Sequence, residues 1–166
     1  VNGLSKSHAM TGWRIGYAAG PVEIIKTMTK IQSQSTSNPT SIAQKAAVAA
    51  LSGPQDCVEK MRQEFERRRN YLVKGLNSIG GISCKMPKGA FYAFPNISKV
   101  LGKKVSNNQI NSSMDLSIYL LEQAKVALVP GSAFGAEGYI RISYATSMEN
   151  LSKGIERIRK ALEELK

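Results

Sequence analysis

Apolar positions along the 166-residue chain switch between helical and strand-like spacing, with turn residues separating the segments. Residues 12 to 19, Gly-Trp-Arg-Ile-Gly-Tyr-Ala-Ala, have the aromatic and β-branched content of a short strand ending at Gly20-Pro21. Pro21 suits the first position of a helix with an apolar stripe of Ile24, Ile25, Met28 and Ile31, and the Ser- and Thr-rich stretch from Gln32 to Ser37 should break it. After Asn38-Pro39, Ile42, Ala43, Ala46, Ala47, Ala50 and Leu51 describe a helix of small residues that can pack closely. Gly53-Pro54 opens the longest periodic segment, Val58, Met61, Phe65, Leu72, Leu76 and Ile79, which predicts a helix of about 25 residues stopped by Gly80-Gly81.

Two short strands are expected next, Ile82 to Met86 and Ala90 to Phe94, around a Pro87-Lys88-Gly89 turn. A polar loop from Ile97 to Asn111 leads to a helix carrying Leu116, Leu120, Leu121 and Ala124. Val126 to Val129 reads as a strand, Pro130-Gly131 as a turn, and Tyr139 to Tyr144 as another strand. In the last helix Leu151, Ile155, Ile158 and Leu162 form the stripe, and Thr146 and Glu149 stand three apart as a capping box. The pattern predicts an α+β chain, helices packed on a small sheet, with a different segment at its N-terminus.

Composition narrows the classes. Apolar residues make up 42% of the chain, enough for a folded core. Lysine and arginine number 23 against 12 acidic residues, a formal charge of +11, which calls for an anionic partner such as nucleic acid, membrane surface, phosphate or carboxylate. No apolar run approaches the roughly 18 residues a membrane span needs and no basic-then-apolar leader is seen, so the chain reads as soluble and cytoplasmic. Its first residues, Val1 and Asn2, without an initiating methionine, read as the start of a piece cut from a longer protein. Cys57 and Cys84 lie far apart and read as reduced, buried small hydrophobes, and with His8 the single histidine no zinc site is expected. The sequons at Asn96 and Asn111 read as chance.

The densest chemistry lies in Ser5-Lys6-Ser7-His8-Ala9-Met10-Thr11-Gly12-Trp13-Arg14. Lysine makes Schiff bases with carbonyls, and arginine offers a fixed fork of donors that suits phosphate. One residue for an aldehyde carbon and another for a phosphate is the pair that pyridoxal phosphate requires, although spacing alone leaves Lys6 and Arg14 open to being ordinary exposed cations.

The string SKSHAMTGWRIGYAAGP resembles the pyridoxal-phosphate lysine region of class I aminotransferases, the aspartate aminotransferase family of fold type I, nearest its bacterial branch. The resemblance continues through QSQSTSNPTSIAQ, the arginine run of the long helix, PKGAFYAF, VALVPGSAFG and YIRISYATSMENL, and so covers essentially the whole chain. It implies the C-terminal part of that α+β and α/β fold: the tail of the large domain over residues 1–50 and the small domain over 51–166. Lys6 is implied as the cofactor lysine and proton carrier, Arg14 as the ligand of the cofactor phosphate, and Arg141 as the arginine that grips the substrate α-carboxylate. Phe91 and Tyr92 are implied near that arginine, as pocket wall or as core aromatics, and His8 is read as structural.

One position departs from the pattern. Many members of the wider class carry a serine three residues before the lysine, where this chain has Gly3. The family's partner for the pyridine nitrogen, its stacking aromatic and its glycine-rich phosphate loop precede the lysine and have no counterpart here. The resemblance implies transamination between aspartate and 2-oxoglutarate by ping-pong exchange, in a homodimer, with the isolated piece inactive. Aromatic, prephenate or alanine transamination, or a lyase or synthase of the same fold, are the alternatives within the family. A nucleic-acid module is the alternative from another class, raised by +11 and by Arg67-Arg68-Arg69. Glu64 and Glu66 beside that run, and the lack of interleaved aromatics, favour a solvated helix face. A scaffolding or dimerising piece is a third reading, raised by the QSQSTSN stretch.

Overall fold

The computed structural model describes residues 1–105 and 108–166, with the side chain of Asn108 left out. Residues 106 and 107, part of the polar loop expected over 97–111, lie outside the described residues. The chain divides into two compact units, Val1–Arg62 and Gln63–Lys166.

The first unit begins with an antiparallel ribbon of β1 (Asn2–Gly3) and β2 (Gly16–Tyr17), paired Asn2 to Tyr17 and Gly3 to Gly16. Helix α1 (Val22–Ser35) follows, with Pro21 as its cap and Val22 as its first helical residue. Its stripe is present as a pattern, but no α1 residue is buried, and Ile24, Met28 and Ile31 are exposed. The break comes later than Gln32: the helix runs to Ser35 and ends at the cap Thr36, whose N–H donates to Gln32 O, while the hydroxyls of Ser33 and Ser35 bond back to Lys30 O and Gln32 O. Helix α2 (Ser41–Ser52) begins where Thr40 Oγ1 accepts from the Ala43 N–H at 3.4 Å, and Gly53 ends it. Leu4, Met10 and Ala43 are the buried apolar side chains of this unit. Helix α3 (Asp56–Asn77) starts here and continues into the second unit.

In the second unit β3 (Tyr92–Ala93), β6 (Val129–Pro130) and β7 (Ile140–Ser143) form an antiparallel sheet in the order β3-β7-β6. Between them lie a ribbon of β4 (Lys104–Val105) and β5 (Asn108–Gln109), helix α4 (Ser113–Glu122) and a 3-10 turn, Gly131–Phe134. Helix α5 (Met148–Glu163) closes the unit and buries Leu151, Ile155, Ile158 and Leu162, the stripe the periodicity predicts. These side chains join Leu72, Leu76, Leu116, Leu120, Ile140 and Ile142 in one core. Helix α3 closes on α5 at Gly75, where a β-carbon would stand 2.6 Å from Ile155 Cδ1. Its C-terminal Asn77 ties the next segment in, donating to Cys84 O at 3.0 Å and accepting from Cys84 N at 2.7 Å.

Several expectations are corrected. Residues 82–86 form no strand; only Ser83 bridges Asn96, because the Asn77 side chain takes up the backbone of Cys84. The strand expected at 126–129 is reduced to Val129–Pro130, and the one at 90–94 to Tyr92–Ala93. The capping box of α5 does not form at Thr146 and Glu149. Ser147 is the cap, accepting from Asn150 N at 3.1 Å, while Thr146 accepts from the Asn150 side chain and Glu149 pairs with Lys153. A true box closes α4 instead, where Asp115 N donates to Ser112 Oγ at 3.1 Å and Ser112 N to Asp115 Oδ2 at 3.0 Å. Cys57 is exposed, and only Cys84 is buried.

Two outcomes follow from these assignments. Ser147→Ala is expected to cost about 1 kcal/mol and Thr146→Ala only a few tenths, read as shifts of the urea midpoint at constant slope. Iodoacetamide at about pH 8 is expected to modify Cys57 quickly and to spare Cys84, whose thiol burial pushes up from its ordinary value. Equal rates at the two thiols would contradict the assignment.

Candidate functional site

Lys6 and Arg14 sit on one loop, residues 4–15, closed at its base by the β1-β2 ribbon. Leu4 and Met10 turn inward and are buried, and Met10 N and His8 N both donate to Leu4 O, at 3.4 and 3.2 Å. The stretch between them is forced into tight turns, with Ala9 N on Lys6 O and the Thr11 hydroxyl on Ser5 O. Lys6 stands exposed on this loop.

Arg14 is not within a strand, as the pattern of residues 12–19 predicts. Thr11–Trp13 form a 3-10 turn, closed by Trp13 N on Met10 O, and Arg14 ends it in the left-handed region at φ 50°. Burial of Met10 and the Thr-Gly pair after it win over the local strand propensity. Arg14 Nη1 donates to Thr11 O at 2.9 Å, which folds the guanidinium back over its own turn. Arg14 lines a cleft of about 670 Å³ with Trp13, Asn38, Pro39 and Thr40, so the QSQSTSNPT stretch borders the same cleft.

His8 has partners that the sequence does not reveal. Its Nδ1 faces Ser7 Oγ at 2.9 Å and its Nε2 faces Gln55 Oε1 at 3.2 Å. Gln55 directs its amide N–H groups to Ala50 O and Gly53 O, so its oxygen accepts from Nε2–H. His8 thereby ties the loop to the α2–α3 turn, in keeping with a structural role.

Arg141 belongs to the second unit. It lies in β7 opposite Val129, with Ile140 and Ile142 buried on the other face of the strand. Its guanidinium carbon is 4.3 Å from the ring centre of Tyr92 and 4.6 Å from that of Phe134. Phe91 and Tyr92 thus part company: Phe91 packs toward the core beside Phe65, 6.3 Å between ring centres, while Tyr92 stands against the arginine. Phe134 is a residue that sequence reasoning passes over. Its signal is the pair of glycines around it. A β-carbon at Gly131 would run into the carbonyls of Ala136 and Tyr139, and Gly135 takes φ +70° to end the turn.

The arginine run faces carboxylates of its own helix. Arg67 and Arg68 both bond Glu64 at 2.8 Å, and these bonds, Arg67 foremost, hold the Glu64 carboxyl down at about 2. Arg69 bonds Glu66 and reaches Pro87 O at 3.3 Å. Among the described residues no His, Cys, Asp or Glu cluster could hold a metal ion, and no helix is long and apolar enough to cross a membrane.

Lys6 and Arg14 thus share one bent loop, and Arg141 stands beside two aromatic rings in the second unit. The chain as a whole matches one known family. Its model, aminotransferase class I and II, matches residues 1–158. The chain belongs to that family. It is 54% identical over 166 residues to an aspartate aminotransferase of Rhizobium meliloti strain 1021, covering 99% of this chain and 40% of that protein. It is 52% identical over 160 residues to an aspartate/prephenate aminotransferase of Nitrosomonas europaea, covering 95% of this chain and 40% of that protein. The crystal structure of the Rhizobium meliloti aspartate aminotransferase superposes with a TM-score of 0.94 at 52% identity, over 99% of this chain and 41% of that one. The fold is therefore that of a fold type I aminotransferase, and the chain spans about 40% of the length of the curated relatives it matches.

Gly131→Ala is expected to open the 3-10 turn and draw Phe134 away from Arg141, at a cost of about 1–3 kcal/mol in urea denaturation. An unchanged midpoint would mean that the turn accepts a β-carbon.

Proposed function

We propose that this chain is part of a pyridoxal-phosphate-dependent aminotransferase that exchanges an amino group between aspartate and 2-oxoglutarate. The observation that carries the proposal is the loop holding Lys6 and Arg14, in a chain 54% identical to an aspartate aminotransferase. The donor set fits the cofactor: an exposed lysine for an aldehyde, and an arginine at the wall of a cleft for a phosphate. On this reading residues 1–50 are the tail of the large cofactor domain and 51–166 the small domain.

When bound, pyridoxal phosphate supplies an electron-withdrawing ring that acidifies the substrate α-carbon and carries the amino group between the two half-reactions. Lys6 would hold the group at its aldehyde carbon and would move the proton at the substrate α-carbon. Arg14 binds the phosphate, with more of the load because Gly3 offers no hydroxyl. Arg141 holds the α-carboxylate at two points, which orients the α-hydrogen as a lysine point charge would not. Of the two aspartates, Asp115 is committed to the α4 cap and Asp56 stands in the first turn of α3; neither is assigned to the pyridine nitrogen here, and the isolated 166 residues are expected to turn over little. Pairing of two copies is expected of the full polypeptide, with the apolar stripe of α1 among the surfaces to be covered. The 52% identity to an aspartate/prephenate aminotransferase favours prephenate as a second amino acceptor.

In the full polypeptide, borohydride treatment with cofactor should leave a mass increment on Lys6, and Lys6→Ala should abolish both the increment and turnover. Arg141→Leu should raise KM for aspartate at least about 100-fold, the scale of a lost charge-assisted bidentate contact. Labelling elsewhere, or an unchanged KM, would overturn the assignment. A panel of aspartate, prephenate and aromatic substrates decides the specificity.

A further inference from the structure

We propose that Tyr92 and Phe134 are positioning residues that set the plane of the Arg141 guanidinium, so that this point selects a planar carboxylate over a tetrahedral anion of equal charge. The proposal rests on the reading of Arg141 as the carboxylate arginine. β7 is the central strand of its sheet, and the two rings arrive from its two sides: Tyr92 from β3, Phe134 from the turn after β6. Both ring centres lie within 4.6 Å of the guanidinium carbon, the distance at which the negative face of an aromatic ring attracts a cation. A guanidinium has two faces and an edge, and all its N–H donors lie in the edge. On this proposal the rings stand against the faces and leave the edge as the route of approach. A carboxylate meets that edge with two coplanar oxygens, whereas a tetrahedral anion places an oxygen out of plane, toward a ring.

Neither ring is placed by chance. Tyr92 is paired with Ser143 in the sheet and lies 4.3 Å from the ring of Phe91. The segment leading to it is pinned at Pro87 O by Arg69 and at Ala90 O by the Tyr144 hydroxyl, 2.9 Å. Phe134 is held through its turn, where Ser132 N donates to the buried Ser113 Oγ at 3.2 Å. Phe94 stands edge-on to Phe134 at 6.1 Å and is itself stacked on Tyr139 at 5.0 Å. Phe134 is nevertheless 48% exposed, so core packing does not account for its place. A half-exposed aromatic fixed by a glycine contact, a buried serine and a second ring is a side chain held for what it touches.

The test uses the full polypeptide loaded with pyridoxal phosphate. Tyr92→Leu and Phe134→Leu should each raise KM for aspartate about five- to ten-fold, with kcat changed less than about two-fold, and Tyr92→Phe and Phe134→Tyr should restore the parent value. Acetate and methanesulfonate, monoanions that each carry one methyl group and differ in a planar against a tetrahedral head, serve as competitive probes. The preference for acetate should fall in the leucine variants and persist in the aromatic ones. If Arg141→Leu raises KM while both leucine variants keep the parent KM and probe preference, the clamp is wrong and the arginine's role stands. If Arg141→Leu leaves KM unchanged, the role of the arginine fails, and the clamp with it. Phe134 lies half in solvent, so its leucine variant should fold and carry the test even if Tyr92→Leu does not.

Discussion

The register of β7 between β3 and β6 is the constraint on which the second unit depends. Strand side chains alternate, so with Ile140 and Ile142 in the core, Arg141 and Ser143 must face the other way. A slip by one residue would bury a guanidinium without a partner and expose two isoleucines, an error of several kcal/mol. The same pairing that keeps the isoleucines inside therefore fixes where the arginine stands. It also brings Tyr92 to the arginine, because Tyr92 pairs with Ser143 and Ala93 with Ile142. Packing and chemistry are two faces of one hydrogen-bonded ladder.

The charge of +11 takes on a narrower meaning against this frame. Arg62, Arg67, Arg68 and Arg69 bond carboxylates one turn away on α3, and Arg68 also lies 5.4 Å from the ring centre of Phe65. Arginines held this way present their donors along the helix and not outward to a phosphate backbone. Exposed pairs of this kind add little stability, but Arg69 also reaches the Pro87 carbonyl on the segment before Tyr92. A run that reads in sequence as a possible nucleic-acid patch is, in the fold, a lateral brace.

Much of the helical framework was legible, because α2 through α5 carry long apolar periods and α5 buries the four positions its stripe names. The strands were less so. Each pairs over two to four residues, too short for alternation to show, and residues 82–86 lost their strand to one asparagine side chain that sequence patterns do not foresee. The α5 cap moved from Thr146 to Ser147, a choice between neighbouring hydroxyls that only the approach of the chain decides. Of the candidate site, the residue types and order were legible through resemblance. The bend at Arg14 was not, because Trp-Arg-Ile-Gly-Tyr has strand propensity and the turn is set by the burial of Met10, outside that window. The α1 stripe was legible as a helix but not as a surface, since periodicity says which residues share a face and nothing about what covers it.

Backbone strain follows a pattern of its own. Among the described residues, the non-glycine positions with left-handed φ are Ala9, Arg14, Ser37, Ala90 and Lys125. An L-residue there costs roughly 1 kcal/mol or more, so each must be held by its surroundings. Ala9 closes the turn that begins at Lys6, Arg14 is itself a candidate, and Ala90 stands two residues before Tyr92. Ala90 is gripped through its carbonyl by Tyr144, a buried side chain of the core, and Ala9 lies between the buried Leu4 and Met10. Three of the five, Ala9, Arg14 and Ala90, thus fall where side chains must be presented at an angle that regular strands or helices do not offer, while Ser37 and Lys125 lie in connections between elements. That coincidence runs from observed geometry toward chemistry, and it selects the same loop and the same strand end as the residue types do.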